Sequence, residues 1–139
     1  MKTIIFTLLF LLSFLGTKAQ SNDTTKNKNE KDNNNIFTSV EHNPEFPGGI
    51  AEFYKYLSKT IRYPPVAREN DIQGRVIISM VIEKDGSLSH IKVERGVSAD
   101  IDKEAVRVMA LCPNWNPGTQ NGRIVRVFYS IPISFTLSK

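Results

Sequence analysis

Residues 124–137 read IVRVFYSIPISFTL, and so long an alternation of apolar and polar side chains dictates a sheet. Val125, Val127, Tyr129, Ile131, Ile133 and Phe135 share one face of the predicted strand, against Arg126, Ser130, Ser134 and Thr136 on the other. Pro132 sits inside this run. It cannot donate a ladder hydrogen bond, so the strand belongs at the edge of its sheet.

Two further strands precede it. From Gly74, the residues Val76, Ile78, Met80 and Ile82 form one apolar row, while Ile77 and Val81 place apolar groups on the opposite face. A strand apolar on both faces belongs in the middle of a sheet. Lys84-Asp85-Gly86-Ser87 then supplies a hairpin signal. In the strand after it Ile91 and Val93 point inward, and His90, Lys92 and Glu94 outward, as suits an edge.

Helical spacing flanks the strands. Phe46-Pro47-Gly48-Gly49 is a turn, and Ile50, Phe53, Leu57 and Ile61 then recur at helical intervals, predicting a helix over 49–61. Tyr63-Pro64-Pro65 ends it. Pro65 opens a short helix to Asn70 with Val66 expected inward. Ser98 or Asp100 caps the next helix, with Asp102 and Glu104 in its first turn. Its inner stripe is Ile101, Ala105, Val108 and Cys112, and Pro113 closes it. Asn116-Pro117-Gly118 and Asn121-Gly122 mark the loop that follows. The predicted fold is α+β: a three-stranded sheet of order 2-1-3, antiparallel throughout, with the helices packed on one face.

The N-terminus has a different character. Met1-Lys2 is followed by an apolar run from Ile4 to Leu15, and Thr17-Lys18-Ala19 carries the small residues of a cleavage site before Gln20. This is the layout of a secretory signal peptide, 1–19. As a helix the run spans about 18 Å, well short of the about 30 Å of a hydrocarbon core. Residues 20–40 open as QSNDTTKNKNEKDNNN, too polar to offset their ordering entropy, and read as a disordered linker. Fully extended they reach about 70 Å. Residues 41–139 form the folded domain.

Composition narrows the chemistry. Removing Lys2 and Lys18 lowers the formal charge from +4 to +2, and the remaining charges are mixed in sign, so no nucleic-acid partner is expected. The single cysteine, Cys112, has no partner for an intramolecular disulfide and reads as a buried small hydrophobe. Trp115 reads as a cap over the core at the helix exit. His42 and His90 are far apart in sequence with no ligand pattern around them; no metal and no cofactor are expected. Asp100 and Asp102 suit helix capping, and Gly48-Gly49 lacks the Lys-Ser/Thr of a phosphate loop. Nothing assembles a nucleophile, a base and an orienting group, so no enzyme is expected.

Several marks occur together in a familiar order. Tyr63-Pro64, Ala67, Ile72, Gly74 and Val76 follow a YP-x-x-A…I-x-G-x-V opening. Asp85-Gly86 gives the hairpin, Ile101-Asp102-Ala105 the acidic helix start, and Trp115-Asn116-Pro117-Gly118 a W-x-PG exit. Pro132-Ile133-Ser134-Phe135 closes the terminal strand. Over residues 61 to 136 the chain resembles the TonB C-terminal domain family, and the upstream FPGG and helix resemble an extension found in one branch of it. The resemblance implies a module that grips a short extended segment, the TonB box, of an outer-membrane transporter beside its last strand. Carried over by position, it implies peptide contacts at Ile61 and Arg62 and along Arg123, Ile124, Val125, Arg126, Val127, Phe128, Tyr129 and Ser130. Strand addition of this kind draws affinity from backbone groups and selectivity from side-chain positions.

Three roles follow from different readings of the same features. One is an exported periplasmic module, membrane-associated only through its partners. A second is an energy transducer anchored in the inner membrane by a retained segment 4–17. The third is an envelope adaptor that forms a homodimer through the same edge strand.

Overall fold

The computed structural model describes residues 34–138, and the predicted signal peptide and most of the predicted linker lie outside them. β1 (Ile36–Phe37) is followed by α1 (Ile50–Thr60) and α2 (Pro65–Glu69). β2 (Gly74–Ile82) and β3 (Leu88–Arg95) come next, then α3 (Ala99–Ala110). A small hairpin, β4 (Thr119–Gln120) and β5 (Arg123–Ile124), precedes β6 (Arg126–Phe135). The α+β class is as expected.

β2 is central. It pairs antiparallel with β3 on one side and with β6 on the other, from Gly74↔Phe135 to Ile82↔Val127 without a register shift. The predicted order 2-1-3 is therefore present as β6-β2-β3. The sheet departs from expectation in one respect: among the described residues it has a fourth strand, β1, which runs parallel to β6 with Ile36 opposite Arg126 and Phe37 opposite Val127. The sheet is mixed rather than antiparallel throughout. The cause is local: Ile36-Phe37 is an apolar pair after a polar run, and it meets a strand edge whose backbone groups need partners. Paired chain thus begins inside the stretch 20–40 read as linker.

One core explains the helices. Phe53 and Leu57 of α1 and Ile101, Ala105, Val108 and Met109 of α3 pack on Val76, Ile78, Met80 and Ile82 of β2 and Ile131, Ile133 and Phe135 of β6. Each fully buried large side chain contributes about 1.5–3 kcal/mol by leaving water. The helices share one face of the sheet, as predicted. Ser98 is the N-cap of α3, its hydroxyl accepting from the Ile101 N–H at 3.4 Å, and Asp102 accepts the Val97 N–H at 2.8 Å.

The upstream segment is part of this core. Phe46 stacks edge-on against Phe53 (5.4 Å between centroids) and Trp115 (5.8 Å), and Trp115 in turn meets Tyr129 at 5.7 Å. Trp115 therefore caps the core as predicted, its Nε1 donating to Cys112 Sγ at 3.3 Å. Burial pushes the Cys112 thiol up, which suits an inert side chain. His42 and Glu45 hold the segment in place through backbone pairing with Thr119 and Asn116. Gly86, at φ +84°, lies against the Trp115 carbonyl, where a Cβ would sit 1.8 Å from the oxygen. Only glycine allows this close approach of the hairpin to the tryptophan.

Two further expectations fail locally. Val66 is 54% exposed and Ala67 is the buried residue of α2, because this five-residue helix packs against α3 with Ala67, not Val66, turned into the core. Ile50, at the first turn of α1, is also exposed; the inner stripe begins at Phe53.

Candidate functional site

β6 places its side chains on two faces and its backbone on two sides. Ile131, Ile133 and Phe135 are buried in the core with the helices, Val127 is buried on the same face, and Phe128, Ser130, Pro132 and Ser134 lie on the open face. In an antiparallel ladder, successive residues aim their N–H and C=O alternately toward and away from the partner strand. A proline ring cannot occupy the place of an N–H aimed at β2, so Pro132 belongs to the outward set. The unbroken register then gives Phe128, Ser130 and Ser134 the same outward orientation. The parallel rung at Val127 is made by the outward groups of its neighbours, so β1 also takes the Phe128 N–H; beyond it no described strand pairs on that side.

The two ends of this edge differ. At its start β1 covers Arg126 and Val127. Arg126 anchors the corner: its Nε and Nη2 donate to Glu83 at 2.7 and 3.0 Å, and its Nη1 donates to the Asn34 carbonyl at 3.0 Å. Glu83 also accepts the Ser89 hydroxyl at 2.6 Å. The Arg126 guanidinium, aided by Ser89, holds the Glu83 carboxyl below its ordinary range despite partial burial. At the far end, a groove of about 480 Å³ opens between α1 and β6, lined by Tyr54, Ser58, Ile61, Ser134 and Thr136.

The residues expected at a peptide site are thus only partly together. Arg123 and Ile124 form β5 in the Asn121-Gly122 hairpin, where both turn residues have positive φ (52° and 72°), and not the start of the last strand. Val125 is buried and its N–H donates to the Gly118 carbonyl at 3.0 Å. Arg126, Val127 and the Phe128 N–H lie under β1, and only the Phe128 carbonyl, Tyr129 and Ser130 are on the uncovered length. Ile61 lines the groove at the other end of the strand. Arg62 faces away, into a separate groove of about 440 Å³ with Val66, Asp100 and Lys103. Its N–H already donates to Glu104 Oε1 at 2.7 Å, and Glu104 is held by Arg107 at 2.6 and 2.8 Å. Asn34, Ile36, Phe37 and Glu83 escaped the sequence reading. The apolar pair following the Asn run was the one signal for β1; the Glu83–Arg126 contact had none.

Part of the chain is shared with known proteins. The model of the family described as Gram-negative bacterial TonB protein C-terminal matches residues 59–137. A solution structure of the Helicobacter pylori TonB C-terminal domain (residues 179–285) is 25% identical, covering 65% of this chain and 81% of that one, with a TM-score of 0.49. The Pseudomonas aeruginosa TonB C-terminal domain is 30% identical over 56% of this chain and 79% of its own, with a TM-score of 0.47. No curated protein matches. With more than half of its length matched, from the end of α1 through β6, the chain belongs to the TonB C-terminal domain family.

Proposed function

We propose that this TonB-like module is a non-catalytic peptide receptor whose ligand is an extended segment of an outer-membrane transporter, added as a strand along β6. The observation that carries the reading is the uncovered backbone from the Phe128 carbonyl to Ser134, held on a strand whose other side is fixed by nine consecutive pairs with β2. Such an edge is rigid before binding, so little ordering is required of the receptor. The groove beside Ile61 and Ser134 offers room for a side chain of the added segment.

Each hydrogen bond gained contributes about 0.5–1.5 kcal/mol net. The outward groups of Ser130 and Ser134, with the Phe128 and Pro132 carbonyls, therefore support a complex of about micromolar strength, near −8 kcal/mol. A grip of that strength suits a contact made and released repeatedly. We place the module in the periplasm, exported by the segment 1–19. Calorimetric titration with synthetic peptides from the N-terminal segments of outer-membrane transporters tests the function. Saturable binding with a dissociation constant in the micromolar range supports it; no heat and no saturation with any such peptide overturns it.

A further inference from the structure

β1 occupies the edge that the ligand is proposed to use. It is only two residues long, Ile36 is 43% exposed, and Phe37 is half-buried. The chain bends away at residues 38–39, so β1 touches the first rungs of β6 and leaves the rest open. The Arg126 guanidinium fixes its start through the Asn34 carbonyl while remaining bound to Glu83. Two rungs, one half-buried ring and one hydrogen bond make a weak hold, suited to release.

We infer that residues 34–37 are a built-in occupant of the β6 edge, and that a transporter peptide reaching Arg126 must displace them. The inference rests on the peptide-receptor reading. The outward N–H and C=O of Arg126 and the N–H of Phe128 can serve one neighbouring strand at a time, so occupancy by β1 and by a ligand at these rungs is exclusive. The occupant also shows what the corner accepts: two successive apolar residues at the Arg126 and Val127 rungs, preceded by a main-chain carbonyl within reach of the guanidinium. A ligand that inserts there has the same chemistry. A segment that reads only from the Phe128 carbonyl to Ser134 leaves β1 in place.

The test compares the wild-type chain with the I36D/F37D variant and, as a milder second form, Ile36→Asp alone. Unchanged Trp115 indole shifts verify the fold of each. Two probes are used: a transporter peptide, and a free capped peptide of residues 32–39 of this chain. A latch closed about nine-tenths of the time weakens apparent affinity about tenfold. The transporter peptide is therefore expected to bind the double variant about tenfold more tightly. The free 32–39 peptide is expected to shift the Arg126 and Phe128 amides of the variant and not those of wild type. Equal transporter affinity for both forms overturns the inference, as does a 32–39 peptide that shifts no β6 amide of the variant. If the transporter peptide binds neither form, the receptor reading fails, and the 32–39 peptide alone then decides whether the edge has an internal occupant.

Discussion

Proline substitution separates the two sides of β6 and so tests the edge without dismantling the sheet. Ser130 lies on the open face, and its backbone shares the outward orientation of Pro132, two residues on. Ser130→Pro removes one outward donor and leaves the bonds to β2 in place. Its expected cost in stability is within about 1 kcal/mol. Its expected cost in affinity is one net hydrogen bond, about 0.5–1.5 kcal/mol, or about two- to tenfold. Val127→Pro is the contrast. Val127 is buried and paired with Ile82, so the ring would enter the β2 side of the ladder. Loss of the ladder bond together with lost packing is expected to cost about 3 kcal/mol or more. Chemical denaturation measures the first quantity and calorimetric titration with a transporter peptide the second. A Ser130→Pro protein that binds as wild type, or one that unfolds as readily as Val127→Pro, refutes the assignment of the outward set.

Three other outcomes are expected. Phe46→Ala should lower stability by about 3–5 kcal/mol in denaturant melts, since the ring lies buried among Phe53, Tyr56 and Trp115. A chain begun at residue 59, where the family match starts, should lack cooperative unfolding for the same reason. The Glu83 carboxyl is held low by Arg126, so its contribution is present above the ordinary carboxylate pKa and is lost as pH falls through the lowered folded value. Thermal melts of wild type should therefore weaken below pH 4 more steeply than those of Glu83→Gln, and parallel curves would remove Glu83 from the account. Mass measurement of the protein recovered from its cell envelope should find Gln20 at the N-terminus. A retained Met1 would favour the anchored transducer.

What could be read from the sequence was what repeats or punctuates. Apolar residues on both faces placed β2 in the middle, the Asp85-Gly86 pair placed its hairpin, and Ser98 placed the start of α3. Pro132 pointed to an edge because a missing donor is a local property. The remainder depends on distant partners. Two residues cannot show a period, so β1 was invisible until β6 supplied its other half. Alternation across Ile124 and Val125 continued that of β6 without a break, and it hid the separate Asn121-Gly122 hairpin. Val66 and Ala67 are both apolar, and only the contacts of α2 with the rest of the fold decide which one faces inward. The site was legible as a strand and not as an edge with one end already covered.

Amide hydrogen exchange of β6, followed with and without a saturating transporter peptide, tests the central claim most directly. The account predicts slowed exchange at Ser130 and Ser134, whose N–H groups face outward beyond β1, with little change at Ile131 and Ile133, which β2 already protects. Saturable binding that leaves the Ser130 and Ser134 amides as exposed as before, or that protects only residues around the Arg62 groove, would contradict it.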